Sequence, residues 1–259
     1  MPFDLSAFRS CLRARDIGRS IRYEPTVGST MDVAREAGRA GARHGHVVLA
    51  DEQTAGRGRF GRRWVAPAGA NLTFTILVRP TLPVLEQLSM IAAVGVGDGV
   101  REATGISPVF KWPNDVQVDG RKLAGILIEA ELDGDRPDFA LIGIGLNVNV
   151  CTGGEPEIAR IAVSLRDLCG AEQSREVVLA AVLNHFEGWL DRSPEAAVRE
   201  AWVARLATLG QEIGVAFGEQ VERGVAESVT ASGALVLRRA DGSLVELPAG
   251  EVTTRVGDR

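Results

Sequence analysis

The chain has 259 residues, of which 45% are hydrophobic and 24% charged, an ordinary composition for a globular protein with a full core. Its net charge of −5 excludes a protein that binds nucleic acid through its overall charge, so any anion site must be local. The sequence contains no transmembrane-length apolar stretch and no signal-peptide pattern. Its three cysteines form no paired motif, which indicates a reducing, cytoplasmic location without disulfides or a zinc ribbon.

The first half of the chain predicts alternating helices and strands. Ser29 and Thr30 precede a short helix that they are suited to cap. A buried strand follows at 47–50, and an alternating, β-branched strand at 70–80. Apolar residues at helical spacing then predict a long core helix over 85–105.

The second half predicts a β-rich region, two helices and a small appended β-module. Strands separated by Asp-Gly turns are expected at 107–118, 122–132 and 139–150, and helices at 174–191 and 194–209. After Gly210 the chain consists of short alternating strands with tight turns, a pattern typical of a small β-barrel. We therefore expect an α+β protein with one domain at 1–210 and a second at 211–259.

The basic residues show a strong bias. Nearly all 29 are arginine, and the only lysines are Lys111 and Lys122. This bias is typical of a sequence in which arginine replaces lysine wherever either residue serves. Two lysines retained this close together therefore indicate sites that need a compact ammonium group rather than a guanidinium fork. The alternative is that both lysines were retained by chance at the surface.

The segment QTAGRGRFGRRW, called the arginine loop here (residues 53–64), formally matches the dinucleotide pattern G-x-G-x-x-G. A Rossmann loop would lead into a helix and an acidic residue about 20 positions further on. Here the glycines lead into Trp64 and a strand, and no acidic residue occurs between Gly61 and Glu86. A Walker A loop is also excluded, because Arg62 and Arg63 replace its Lys-Ser/Thr pair.

The arginine loop nevertheless has the chemistry of an anion site. Its glycines allow close backbone approach, and its arginines can bind carboxylate or phosphate in a bidentate manner. We expect it to become ordered over a bound anion. An RNA-binding patch is an alternative, because Phe60 and Trp64 interleave with the arginines. A plain solvated turn fits poorly, because four like charges repel one another.

Four motifs together carry a family resemblance. QTAGRGRFGRRW, KWPNDV, RKLAGILIE and GIGLNVN occur in this order within 28–149, and in this order they resemble the biotin protein ligases. The resemblance implies a catalytic domain related to class II aminoacyl-tRNA synthetases, with a mixed β-sheet and flanking helices, and a small SH3-like carboxyl-terminal domain. It also implies a monofunctional ligase, because the Gly28-Ser29-Thr30 motif begins within thirty residues of the start, too early for the DNA-binding domain of about 60 residues that some members carry.

The activity implied by the resemblance has two steps. The biotin carboxylate attacks the α-phosphorus of ATP, giving biotinoyl-5′-AMP and pyrophosphate, and a lysine of a biotin carboxyl carrier domain then takes the acyl group. Biotin, ATP with Mg²⁺ and the carrier domain are the expected partners, and neither DNA nor a membrane is expected. No tightly bound metal is expected either.

The resemblance also assigns residues. The implied catalytic cations are Lys122, Arg57, Arg59 and Lys111. The implied biotin-binding residues are Ser29, Thr30, Met31, Gln53, Arg57, Gly58, Arg59, Lys122 and Gly125. The implied ATP-binding residues are Arg59, Trp64, Lys111, Asn114, Asp115 and Asn147, with Asp115 as the candidate contact for Mg²⁺. Trp64 as a plain core residue and Asp115 as a turn residue are the alternatives.

Two positions depart from the family pattern. Met31 stands where members often have Asn, and Phe60 where others place Arg or another polar residue. Glu129 and Glu131 are interpreted as solvent-facing or packing-edge charges, and His44 and His46 as part of a surface turn. The rival functions are a lipoate or octanoate ligase or transferase of the same superfamily, and a non-enzymatic nucleotide- or RNA-binding module.

Overall fold

A computed structural model describes residues 2–64, 67–154, 156–194, 196–217, 220–248 and 250–253; the predicted domain ends at 1 and 254–259 lie outside these residues. The α-helices of this part of the chain are α1 (Leu5–Cys11), α2 (Thr30–Arg39), α3 (Leu82–Thr104), α4 (Pro156–Ile161), α5 (Leu165–Cys169), α6 (Arg175–Leu190) and α7 (Ala196–Val203). None of them combines the length and the apolar character needed to cross a membrane.

The strands form two sheets. The first contains β1 (Ile21–Val27), β2 (His46–Gln53), β3 (Leu72–Val78), β4 (Val109–Lys111), β5 (Asp115–Val118), β6 (Arg121–Asp133) and β7 (Arg136–Leu146). The second contains β8 (Glu212–Phe217), β9 (Gln220–Val229), β10 (Leu235–Arg238), β11 (Leu244–Leu247) and β12 (Glu251–Thr253).

The first sheet is mixed and carries the core. Its strand order is β1-β2-β3-β7-β6-β5-β4, in which β1 and β2 are parallel and the other neighbours are antiparallel. The interior strand β3 is buried along its whole length. Helix α3 lies so close to α6 that a Cβ at Gly99 would come within 2.5 Å of the Val182 Cα, and glycine permits this approach. The sheet and these helices enclose one large apolar core.

The second sheet is antiparallel throughout, with the order β11-β10-β9-β8-β12. It is tied to the first sheet by Trp112, which is buried and donates its indole Nε1–H to the Gly233 carbonyl oxygen at 2.9 Å. The expected fold class, a mixed sheet with flanking helices followed by a small β-domain, is confirmed.

Several elements differ from the sequence-based expectations. The predicted strand at 107–118 is divided into β4 and β5, because the chain turns at Trp112–Asn114. The amino-terminal elements α1 and β1 and the short helices α4 and α5 were not predicted. Strand β1 contains Pro25 and lies at the sheet edge, so its sequence lacks the apolar alternation of a central strand. The two short helices have too few turns to show helical periodicity.

Candidate active site

A cleft of about 220 Å³ lies at the middle of the first sheet, between the arginine loop, the beginning of α2, strands β5 to β7 and the segment that enters β12. It brings together almost all residues predicted for the site. Those that line it are Ser29, Thr30, Met31, Gln53, Arg57, Gly58, Arg59, Trp64, Lys111, Asn114, Asp115, Lys122 and Gly125. Asn147 does not line the cleft.

The arginine loop forms a tight hairpin over one side of this cleft. Gly58 N donates to Arg62 O at 2.7 Å, and Trp64 N donates to Gly56 O at 3.0 Å. A Cβ at Gly56 would lie 2.5 Å from the Trp64 carbonyl oxygen, so this closure requires glycine. Phe60, at the tip, has a left-handed backbone (φ 56°) and is 59% exposed. The departure from the family pattern therefore places an apolar side chain at the outer end of the loop.

The arginines of the loop have different partners. Arg57 forms a bidentate ion pair with Asp32, at 2.6 and 2.8 Å. Arg62 pairs with Glu251, next to the entry into β12. Arg59 lines the cleft and forms no ion pair with any described residue. The mutual repulsion expected from the sequence is thus relieved at two of the four positions, whereas Arg59 and Arg63 line the cleft without an ion pair to any described residue.

Arg59 is held by neutral acceptors. Its Nη1 lies 3.3 Å from Asn114 Oδ1 and 3.4 Å from the Gly250 carbonyl oxygen. Burial lowers the pKa of the Arg59 guanidinium, and Asp115 and Glu251 partly offset this effect. Arginine nevertheless stays protonated at neutral pH, so the group remains a partly desolvated cation. Such a cation interacts more strongly with an anion than a fully hydrated one does.

Both lysines lie in the cleft wall, so chance survival at the surface does not describe their positions. Strand β5 pairs with β4 and β6, with Lys111 opposite Asp115 and Asp115 opposite Gly125. Lys122 Nζ lies 2.7 Å from Asp115 Oδ1 and 5.7 Å from the centroid of the Trp64 ring. A Cβ at Gly125 would come within 3.0 Å of Lys122 Nζ, so glycine keeps space open beside this ammonium group.

The cleft is also lined by a hydrogen-bonded chain of neutral polar side chains. The buried Thr75 hydroxyl donates to Thr30 Oγ1 at 2.9 Å, and the Thr30 hydroxyl donates to Gln53 Oε1 at 3.0 Å. The Thr30 backbone N–H donates to the same oxygen at 2.7 Å. Ser29 is 2% exposed, and its hydroxyl has no hydrogen-bond partner among the described residues. A neutral polar ligand group that bonds to this hydroxyl would satisfy it.

Two glycines of β7 shape the cleft floor. A Cβ at Gly143 would lie 2.7 Å from Met31 Sδ, so the absence of a side chain there accommodates the buried methionine. A Cβ at Gly145 would lie 2.3 Å from Trp64 Cε2, which shows that the indole lies directly on the β7 backbone. Trp64 Nε1 is buried without a partner among the described residues. Trp64 thus forms a cleft wall and is not a plain core residue.

Asn147 lies behind the wall. Its Nδ2 group is shared between the carbonyl oxygens of Lys122 and Val163, and its Oδ1 accepts from Asn71 at 3.2 Å. The residue is 8% exposed. Its predicted contact with ATP finds no support in this position, where it instead supports the backbone of β6 beneath Lys122. Asn114, by contrast, faces the cleft and donates from Nδ2 to Ile126 O at 2.7 Å.

Sequence reasoning missed several contributors to the site. Gly250 and Glu251 come from the carboxyl-terminal module, of which no individual residue was predicted to line the cleft. Thr75 and Asp32 support Thr30 and Arg57 from outside the recognised motifs. The alternation of Thr73 and Thr75 on a strongly apolar strand was the available signal for the buried threonine.

The two amino-terminal histidines form no metal site in the structure. His46 Nδ1 lies 2.8 Å from the Ser20 hydroxyl, and His44 Nδ1 accepts from Arg79 N at 3.1 Å. Burial lowers the pKa of both imidazoles, although nearby acidic residues oppose this effect at His44. No group of three or more potential metal ligands occurs among the described residues.

Comparison with known protein families yields two matches. Residues 24–147 match the biotin/lipoate A/B protein ligase family, and residues 208–255 match the biotin protein ligase C-terminal domain. The biotin–[acetyl-CoA-carboxylase] ligase of Mycobacterium tuberculosis is 34% identical over 264 residues, covering 97% of this chain and 95% of that protein. The enzyme of the same name from Paracoccus denitrificans is 38% identical, covering 79% and 88%.

Two further comparisons set the scope of the relationship. The bifunctional ligase/repressor of Bacillus subtilis is 38% identical over 185 residues, and this chain spans only 57% of its length. The solved biotin protein ligase of Aquifex aeolicus, in complex with biotin and ATP, is 28% identical with a TM-score of 0.75, covering 92% of this chain and 99% of that chain. The arrangement of the cleft and these matches agree: the chain belongs to the biotin protein ligase family.

Proposed function

We propose that the protein activates biotin with ATP as biotinoyl-5′-AMP and transfers the biotinyl group to a specific lysine of a biotin carboxyl carrier domain. The observation that carries the proposal is that one cleft is lined by two kinds of group. The cations of Lys111, Lys122 and Arg59 line it, and so do the neutral polar side chains of Ser29, Thr30 and Gln53. A ligand that carries both an anionic group and a neutral polar group matches this lining.

The first step must join two anions. The carboxylate oxygen forms a bond to the α-phosphorus while the bond to the pyrophosphate leaving group breaks. Fixed cations that face the reacting atoms offset the repulsion and stabilise the charge of the transition state. Lys122 is proposed to contact the carboxylate and then the acyl-phosphate bridge, with Arg57 and Arg59 clamping the carboxylate and the α-phosphate. The protein therefore acts mainly by positioning and electrostatics.

The neutral polar side chains of the cleft are proposed to hold the ureido ring of biotin. Ser29, Thr30 and Gln53 would form its hydrogen bonds, and Met31 would contribute an apolar contact. A neutral polar ring buried without hydrogen bonds would cost affinity, so prearranged partners favour biotin over an alkyl chain. Gly58 and Gly125 would allow the backbone to approach the ligand.

The nucleotide is proposed to lie against Trp64, which would stack on adenine. Lys111 would face the phosphates, and Asn114 and Asp115 would contact the nucleotide or the Mg²⁺ that accompanies it. One carboxylate together with substrate phosphates is a ligand set that suits Mg²⁺. The same Asp115 carboxylate pairs with Lys122 in the structure, so binding of Mg²⁺ would exchange one partner of this carboxylate for another.

In the second step the acceptor lysine nitrogen bonds to the acyl carbon, AMP leaves with the bridging electron pair, and the lysine nitrogen loses a proton. We propose that residues 1–210 perform both steps and that residues 211–259 form the appended domain. The contacts from Gly250 and Glu251 to the arginine loop support a role of this domain in closing the cleft. A cytoplasmic location is proposed from the three free cysteines.

The test incubates the purified protein with MgATP, a biotin carrier domain, and biotin, lipoate or octanoate in separate reactions. Intact mass should show one added biotinyl group, and only with biotin. Lys122→Ala should slow pyrophosphate release by about 100-fold or more, because it removes a cation from the developing charge.

The control variant is Arg121→Ala, which removes the cation next to Lys122 on β6. The ion-pair partner of Arg121 is Asp119, which lies in an exposed turn. Its rate should stay within about twofold of wild type, as is usual for a surface change. Transfer of lipoate or octanoate in place of biotin would assign the protein to the lipoate or octanoate branch of the superfamily instead. Absence of transfer and of pyrophosphate release with every acid would overturn the proposal.

A further inference from the structure

Asp32 was assigned no function from the sequence, yet it is the partner of a predicted active-site cation. It lies in the first turn of α2 and holds Arg57 through two contacts, Nη2 to Oδ1 at 2.6 Å and Nη1 to Oδ2 at 2.8 Å. Arg57 lines the cleft, whereas Asp32 does not. The carboxylate therefore acts on the cleft only through the guanidinium group.

The geometry of this pair leaves Arg57 available to a ligand. A guanidinium group has five N–H donors in a fixed plane. The contact with Asp32 uses one donor on each terminal nitrogen and leaves three, including the one on Nε. Because the contact has two points, it also fixes the plane in which the remaining donors lie. Asp32 thus orients Arg57 and leaves three of its N–H donors for other partners.

Stability alone does not account for the pair. The side chains of Arg57 and Asp32 are 41% and 47% exposed, and ion pairs with this exposure contribute little to folding. The hydrogen bond from Arg57 lowers the pKa of Asp32, and the contact in turn raises the pKa of Arg57. Both groups are therefore charged throughout the neutral range.

The pair is the end of a longer chain of alternating charges. Arg35, also on α2, donates to Asp32 Oδ1 at 2.9 Å and pairs with both Glu129 and Glu131 on β6. Its side chain is only 21% exposed. The two glutamates, interpreted from the sequence as solvent-facing or packing-edge charges, thus anchor α2 to the strand that carries Lys122. The chain connects the position of Arg57 to that strand.

We propose that Asp32 is a positioning residue for Arg57, holding its guanidinium at the cleft while the remaining donors stay available to an incoming anion. The inference rests on the proposed function, because it concerns the carboxylate and α-phosphate that Arg57 would clamp. It assigns a role in the first step to a residue outside the recognised motifs. It also connects that residue, through Arg35, to β6.

The test compares Asp32→Asn with Asp138→Asn in biotin-dependent pyrophosphate release. Asp138 is a matched control, because its side chain is also 47% exposed and pairs with Arg79, which donates to Gly38 O on α2. Asp32→Asn should raise the KM for biotin about fivefold to tenfold with a smaller change in kcat, a range typical of coupling between contacting residues. Asp138→Asn should leave both constants within about twofold. Asp32→Glu, which keeps the carboxylate, should recover most of the lost affinity.

A double-variant cycle separates positioning from a general effect on α2. In an Arg57→Gln background, Asp32→Asn should produce no further change, because the group that it positions is absent. Equal effects of Asp32→Asn in both backgrounds, or an unchanged KM in an active wild-type background, would overturn the positioning role alone. A wild-type protein without biotin-dependent pyrophosphate release would instead overturn the proposed function, and this inference with it.

Discussion

The same four-residue pattern, Ser-x-x-Asp, begins two helices of this protein and is used in opposite ways. At α5, Ser164 Oγ accepts from Asp167 N at 3.1 Å, and the Asp167 carboxylate accepts from Ser164 N at 3.2 Å, which completes a capping box. At α2, Ser29 makes no capping hydrogen bond and Asp32 turns to Arg57. Both serines are buried, so burial does not explain the difference.

The difference follows from what lies beside each helix. Helix α5 begins behind the cleft, where Leu165 N donates to the Asn147 carbonyl oxygen. The polar groups at its amino terminus, on Ser164 and Asp167, bond to each other. Helix α2 begins at the cleft, where its serine hydroxyl has no partner among the described residues and its aspartate pairs with Arg57. A buried hydroxyl without a partner costs about 1–3 kcal/mol, and a ligand can recover this cost by bonding to it. The local pattern is the same, but one terminus serves the fold and the other serves the site.

The largest effect is expected when Ser29, the unsatisfied serine, is changed. Ser29→Ala should raise the KM for biotin about 10-fold to 100-fold, because a ligand group would lose its buried hydrogen bond. The free energy of unfolding should stay equal or rise, since the protein loses a hydroxyl that has no partner among the described residues. Biotin-dependent kinetics and urea unfolding measure the two quantities. A loss of stability with unchanged affinity would show that Ser29 is a capping residue after all.

The reciprocal change should reverse this result. Ser164→Ala removes the capping hydroxyl of α5 and should lower the free energy of unfolding by about 1 kcal/mol, or the melting temperature by roughly 2–4 °C. The KM for biotin should remain within about twofold of wild type. Thermal unfolding and the same kinetic assay provide the readouts. Equal changes in affinity for Ser29→Ala and Ser164→Ala would remove the distinction between the two termini.

The smallest effect concerns pH. Burial raises the pKa of Asp167, but hydrogen bonds from Thr152 and Ser164 outweigh it and leave the pKa below its ordinary value of 3.8. The ionised group therefore stabilises the fold above that pH, and the contribution is lost as the pH falls through the folded-state pKa. The stability difference between wild type and Asp167→Asn should be greatest near neutrality and should shrink below about pH 3.8. A difference that grew with acidification would contradict the capping interaction.

Much of the fold was predictable, because long elements have strong patterns. Helix α3 was expected at 85–105 and is found at Leu82–Thr104, where Gly105 ends it in the left-handed conformation. The separate texture of the chain after Gly210 corresponds to the second sheet. Short elements such as α4 and α5 were missed, because one or two turns contain too few apolar positions to define a face.

The candidate site was predictable only where motifs supplied it. The arginine loop and the two lysines were expected together, and the structure places them around one cleft. Gly250 and Glu251 were not expected, because nothing in a turn before a short strand indicates what a distant loop will contact. Asn147 was expected to contact ATP, but its side chain lies behind the cleft wall. There it bonds to the buried amide of Asn71 and to two backbone carbonyl oxygens.

The sequence by itself determined the family, the α+β composition and the residue types that bring positive charge to an anion. These properties depend on local patterns and on motif order, which a linear chain displays directly. Only the tertiary structure decided that Ser29 lacks a hydrogen-bond partner among the described residues, that Asp32 is the carboxylate paired with Arg57, and that Arg59 lines the cleft without an ion pair to any of them. Hydrogen bonds and ion pairs depend on distances of about 3 Å between residues far apart in the chain, and identical local patterns do not specify such distances.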